Sequence, residues 1–333
     1  MKISNFKNKT ALLFAVCIAL AAISAVVGLA AGSVSLTLPE ILGGITGKEG
    51  FEMQTTIINY IRFPRVIGSA LAGISLAVSG VILQTVTNNA LCSANVLGIN
   101  SGAGLGVMLA ICFAPSAIAM YPAAAFAGAA AVTLLVIVLS GKAGASRLAI
   151  VLSGIAISSI CSAIISFLSL RYPEQLVSYT AFTTGSFAGI QWESLKIPSL
   201  IIAVCLAGTF IITPQLELLC LGDTMAMSLG VKVKQTRIIC LVIVSALVAS
   251  VVSYAGILSF VGLIIPHIAR KFVGSSLRRL MPLSAIMGFI LVECADIAGR
   301  VFFAPTELPA GIITAMAGSP FFLYLLIARR SEV

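Results

Sequence analysis

Two arginines bracket a Phe-Pro pair, Arg62-Phe63-Pro64-Arg65, at the head of a long apolar run, and Glu293, Asp296 and Arg300 recur at one-turn intervals in another. Guanidinium groups grip carboxylates through two parallel hydrogen bonds, and ionisable groups inside apolar helices are costly enough to point to function. Arg62, Arg65 and Arg300 can therefore dock carboxylates of another molecule. Two plainer roles compete: snorkelling of Arg62 and Arg65 to a membrane interface, and neutralisation of Arg300 by Asp296 at i, i+4 spacing. Pro64 suits the first turn of a helix and would fix its start.

Gln215 to Gly230, between the sixth and seventh expected helices, is the longest inner loop, yet it carries an oily motif, Gly222-Asp223-Thr224-Met225-Ala226-Met227-Ser228-Leu229-Gly230. Asp223 fits an N-cap and Gly230 a C′ position, so Thr224 to Leu229 form one short helix. Its Met225, Met227 and Leu229 can insert into a groove on another protein, or pack back on their own bundle. Ser158, Ser162, Ser166 and Ser169 share one helix face; such hydroxyls line a wet path or bond to neighbouring helices. Gly98, Gly102 and Gly106, four residues apart, suit close helix packing.

Equally informative is the chemistry the chain lacks. Gly141-Lys142 is followed by Ala143, and Val136 stands where a phosphate-binding loop needs its first glycine, so nucleotide must be bound elsewhere. A single histidine, His267, excludes multi-histidine metal motifs. No G-x-S-x-G occurs. The eight cysteines, at 17, 92, 112, 161, 205, 220, 240 and 294, show no CxxC spacing and act as small hydrophobes. No catalytic residue, cofactor or metal ligand is expected.

The elements that position these residues are membrane helices. With 59% hydrophobic and 9% charged residues among 333, the chain lies far from a soluble composition. It reads as one all-α polytopic membrane domain, 1–333, of about ten helices near 11–32, 64–86, 93–113, 118–140, 147–170, 195–213, 237–256, 258–269, 280–301 and 309–328. The first is too long for a signal h-region and is read as uncleaved. The eighth, punctuated by Gly256, Gly262 and Pro266, is short and broken.

With the N-terminus inside, fourteen of the twenty basic residues fall on inner segments: Lys2, Lys7, Lys9, Lys142, Arg147, Lys232, Lys234, Arg237, Arg270, Lys271, Arg278, Arg279, Arg329 and Arg330. Six are left outside, so the positive-inside rule puts both termini in the cytoplasm of a cell membrane. A positive charge of this kind reports topology and implies no nucleic-acid partner. Residues 69–80 echo 245–256, as an inverted repeat would, although Ala/Ser/Gly-rich helices also match by composition alone.

Together these segments resemble the FecCD-type permease family, the membrane subunits of ATP-binding cassette (ABC) importers for iron-siderophores, haem and cobalamin. The likeness spans nearly the whole chain. Its most specific parts are Arg62 to Arg65, Val96 to Gly104, Leu221 to Gly230, Phe260 to Arg270, and Glu307 to Phe322. The resemblance implies a type II ABC importer permease fold and a homodimer or paralogue pair around a central path. It implies two cytosolic ATPases below and an extracytoplasmic binding protein that delivers the ligand. Arg62, Arg65 and Arg300 would face that protein, 222–230 would contact the ATPase, and the fifth and tenth helices would line the path. One departure is clear: where the family usually has Asn-Pro-Leu-Ala-Asp-Pro, this chain has Asn89-Ala90-Leu91-Cys92-Ser93-Ala94, which leaves the inner turn less constrained.

The expected activity is alternating access without covalent chemistry. Its chief rival is an ion-coupled secondary transporter, which needs a mid-membrane charge for which Glu293 and Asp296 are the sole candidates. A membrane-embedded enzyme and a permease for bare metal ions lack the clustered nucleophiles or ligands they require.

Overall fold

The computed structural model describes residues 2–32, 36–142, 144, 146–304 and 306–328; Arg329 and Arg330, and the side chains of Lys2 and Lys7, lie outside the description. The described chain is built from helices: α1 (Lys2–Ala30), α2 (Leu38–Thr46), α3 (Glu52–Thr56), α4 (Phe63–Thr87), α5 (Ile99–Phe113), α6 (Tyr121–Lys142), α7 (Arg147–Arg171), α8 (Leu176–Thr183), α9 (Trp192–Leu219), α10 (Asp223–Ser228), α11 (Val233–Ala255), α12 (Val261–Val273), α13 (Leu277–Val301) and α14 (Ala310–Ala328). Among the described residues seven stretches are long and apolar enough to cross a membrane: Lys9–Ala30, Glu52–Thr87, Ile118–Lys142, Arg147–Arg171, Trp192–Leu219, Val233–Ala255 and Leu277–Val301. The remaining expected spans correspond to α5, α12 and α14.

Helix α4 is the axis of the bundle, buried along most of its length by α13, α11, α12 and α9. Lipid offers no hydrophobic drive for helices to associate, so small residues that admit close backbone contact must supply it. Gly73 meets Gly288 of α13 and Gly80 meets Gly262 of α12, each against the other's backbone. Gly102 and Gly106 likewise press α5 onto Gly128 and Ala124 of α6. Tyr254, near the end of α11, donates to the Gly68 carbonyl near the start of α4 at 2.9 Å, so these two helices run antiparallel.

Several expected boundaries are corrected. Pro64 stands in the first turn of α4, as expected, but it does not start the helical run, because a continuous rod already rises from Glu52 through a π-helical turn at Ile57–Arg62. Proline has no N–H to return to the carbonyl four residues back, and beside it the Phe63 N–H reaches five residues back to Ile58. The helix expected from 93 starts at Ile99: residues 88–98 are turns that end at Gly98, whose φ of 78° is left-handed. Gly98 therefore caps α5 and also lies close against Ser158 and the Gly154 carbonyl of α7, while the other two glycines pack α5 onto α6. Within those turns Asn89 accepts the Leu91 N–H at 2.9 Å, and Cys92 is buried.

Helix α12 is short and parted from α11 at Gly256, as expected, but it runs unbroken through Gly262 and Pro266. At 1.5 Å per residue its thirteen residues reach only about 20 Å. The unwound link 256–260 carries Phe260 at φ 67°. Exposed backbone groups cannot be left in hydrocarbon, and here the end of α8 and the segment after it meet them: Ile257 of the link donates to Phe182 at 3.4 Å, and Ser186 donates to Ala255, the last residue of α11, at 2.8 Å.

Candidate functional site

At one end of the bundle the end of α1, the start of α4 and the end of α13 converge on a buried ion network. Arg65 holds Asp296 with two parallel bonds, Nε to Oδ2 at 2.8 Å and Nη2 to Oδ1 at 2.9 Å, and reaches Glu307 through Nη1 at 2.8 Å. Arg300 adds an ion pair to Asp296 at 3.2 Å. Helix α1 ends there with carbonyls that have no helical partner. Arg300 donates to Ala31 at 2.8 Å, and Arg62 to Ala30 at 2.8 Å and to Leu29, so two cations sit at the negative end of the α1 dipole. Glu293 is fully buried and accepts from Ser69.

All three arginines are thus drawn into the chain, at 5%, 8% and 4% exposure for Arg62, Arg65 and Arg300. Snorkelling of Arg62 and Arg65 is overturned, since their heads turn inward to carbonyl and carboxylate partners. Asp296 does pair with Arg300 at i, i+4, but its closer partner is Arg65, 231 residues away in sequence. Glu307, with 38% of its side chain exposed, is the most open member of the network. Sequence reading quoted it only within a motif. The signal was the need of three embedded cations for as many acids.

The opposite end gathers the end of α9, the starts of α7 and α11, and α10 between them. Asp223 does not cap α10; Gly222 precedes it at φ 101° and Asp223 is the first helical residue. Its carboxylate is spent on two arginines instead: Arg147 donates at 2.7 Å, and Arg237 to both oxygens at 2.9 and 2.8 Å. Burial pushes the Asp223 carboxyl up, but hydrogen bonding and charge from Arg237, with the charge of Arg147, outweigh it and hold the group below its ordinary value. Ala226 is buried and anchors the short helix, Thr224 and Ser228 flank it, and Gly230 ends it at φ 86°. Met225, Met227 and Leu229 stand 55–56% exposed, pointing away from the bundle.

The serine stripe of α7 divides. Ser158 is turned against Gly98, Ser162 and Ser166 are exposed, and Ser169 is half-buried. Elsewhere a cavity of about 580 Å³ lies among Thr183, Thr184, Ser259, Met316 and Ser319, bringing the end of α8, the unwound link and α14 to one hollow. Sequence reading did not find these hydroxyls, because three distant segments supply them.

The chain matches the FecCD transport family over residues 15–328. It is 36% identical over 329 residues to the Fe(3+)-citrate import system permease protein YfmE of Bacillus subtilis, covering 98% of each chain. It is 33% identical over 279 residues to the hemin transport system permease protein HmuU of Yersinia pestis, covering 82% of this chain and 83% of that one. A solved metal-chelate type ABC transporter in an inward-facing conformation superposes with a TM-score of 0.86 at 30% identity, over 95% of this chain and 99% of that one. An all-helical bundle, arginines that seal one end and an oily helix at the other are thus joined to sequence likeness along the whole length, and the chain belongs to the FecCD transport family.

Proposed function

We infer that this chain is the transmembrane permease subunit of an ABC importer for iron-siderophore or related chelates, including haem and cobalamin. It crosses the cell membrane ten times with both termini cytoplasmic, has no catalytic site of its own, and pairs with a second copy or a paralogue. Two cytosolic ATPases dock on Gly222 to Gly230, and an extracytoplasmic binding protein docks at the arginine end. The observation that carries this reading is the exposed apolar side of α10, on a loop where a free surface would be polar. Energy can reach the path only if α10 contacts differ between nucleotide states.

Arg62, Arg65 and Arg300 serve docking through exchange: an incoming carboxylate competes with the half-open Glu307 for Arg65. Ser162, Ser166 and Ser169 of α7, with Ser158 at its inner end, face the path together with the hollow beside α14. An ion-coupled transporter is the weaker reading, because Glu293 and Asp296 sit in the arginine network at one end of the bundle. Deleting the gene and testing growth and radiolabelled iron uptake on defined ferric chelates tests the function. Loss of uptake for one chelate class, restored by the intact gene, is expected; undiminished uptake of every ferric chelate and of cobalamin contradicts it.

A further inference from the structure

Helix α10 has only six residues, too few to hold a shape alone. Its single charged side chain, Asp223, is shared by two helices that are anchored very differently. Arg237 belongs to α11, which buries fourteen residues inside the bundle, and is itself 4% exposed. Arg147 is the first residue of α7, which buries only Ile150, Gly154, Ile157, Cys161 and Leu168, a single stripe. Along that stripe Gly154 rests on the backbone of Val96 and Leu97. The rest of α7 is exposed or half-buried, so the helix can tilt on one narrow seam, while α11 is held along most of its surface and leaves only positions such as Ile239 and Val242 open.

One carboxylate oxygen, Asp223 Oδ1, accepts from both arginines, at 2.7 Å from Arg147 and 2.9 Å from Arg237. We propose that Arg147 is the positioning residue that ties α10 to α7, so that displacement of α10 by the ATPase is carried through the Arg147–Asp223 ion pair into the helix bearing Ser162 and Ser166. Arg237 is the fixed post of this joint and Arg147 the moving arm. The tie is directional: a pull on α10 strains the pair to the loosely held helix before it shifts the buried one. The proposal rests on the reading of α10 as the ATPase contact, and adds to it the route by which the stroke leaves that contact.

The test uses the complete importer, permease with its ATPase and binding protein, in proteoliposomes. Uptake of a radiolabelled ferric chelate and ATP hydrolysis are measured side by side, and their ratio is the readout. Arg147→Ala removes the arm at a helix end whose side chain is 26% exposed, where the fold tolerates truncation. Uptake per ATP should fall about fivefold or more, the low end of ordinary coupling free energies, while Arg147→Lys, which keeps the charge, recovers part of it. Combining Arg147→Ala with Asp223→Asn should cost no more uptake than Asp223→Asn alone, since both remove one interaction. An unchanged ratio, a parallel fall in uptake and hydrolysis, or fully additive losses would overturn the joint. Absence of ATP-driven uptake in the unsubstituted complex overturns the parent reading as well; that result is distinct from failure of the joint alone, where unsubstituted and Arg147→Ala complexes share one normal ratio.

Discussion

Replacing Asp296 with asparagine keeps the shape of the side chain but sets an amide where Arg65 needs an acceptor. Asp296 is 2% exposed and receives two bonds from Arg65 and an ion pair from Arg300. Asparagine presents one acceptor oxygen and two donors, so donor meets donor on one side of the fork and two guanidiniums lose their nearest anion. Breaking a buried pair by removing one partner costs about 3–5 kcal/mol, because the other charge stays buried. Glu307→Gln on the same arginine is the internal control: its side chain is 38% exposed, solvent screens it, and about 0–1 kcal/mol is expected. For a chain of this size about 2 °C per kcal/mol is reasonable, giving roughly 6–10 °C for Asp296→Asn and about 2 °C or less for Glu307→Gln. The temperature at which half the purified protein leaves the monodisperse peak after brief heating measures both. Equal shifts for the two variants, or an Asp296→Asn shift under about 2 °C, would refute the reasoning that burial sets the weight of each acid.

Gly262→Ala should be severe, since a Cβ there would lie 2.7 Å from the Leu76 carbonyl, and α12 would have to leave α4; overpacking of this kind costs about 1–3 kcal/mol, read as a lowered heating midpoint with lost uptake. At the inner end, Asp223 is held below its ordinary value, so its contribution is present above the unfolded carboxylate pKa and is lost only as pH falls through the lower folded value. The difference in heating midpoint between the unsubstituted protein and Asp223→Asn should therefore stay constant from about pH 5.5 to 8, and a difference that vanishes near neutrality would contradict the paired, ionised state.

Much of this architecture was legible because membrane helices write themselves as apolar runs, and the break before α12 was marked by Gly256, although Gly262 and Pro266, read with it, fall inside the continuous helix. What resisted reading were contacts between distant segments. Asp296 paired on paper with Arg300, four residues on, while its tighter partner is Arg65, which no local rule reaches. Asp223 had the residue type of an N-cap, yet two arginines from other helices take its carboxylate, and Gly222 takes the cap position. The rod below Pro64 was missed because residues 52–62 mix polar and apolar side chains. Even the serine face of α7 was only half informative, since spacing places Ser158 beside Ser162 but cannot tell that Gly98 opens a seat for the former.

The central claim is that a separate ATPase drives this bundle through the oily side of α10. A photo-cross-linking residue at position 227, where Met227 stands 56% exposed, reports that contact directly in intact cells. A covalent product with an ATP-hydrolysing cytosolic subunit, absent when the cross-linker is moved to buried Ala226, is the predicted result. Adducts with lipid or with the permease alone would contradict it.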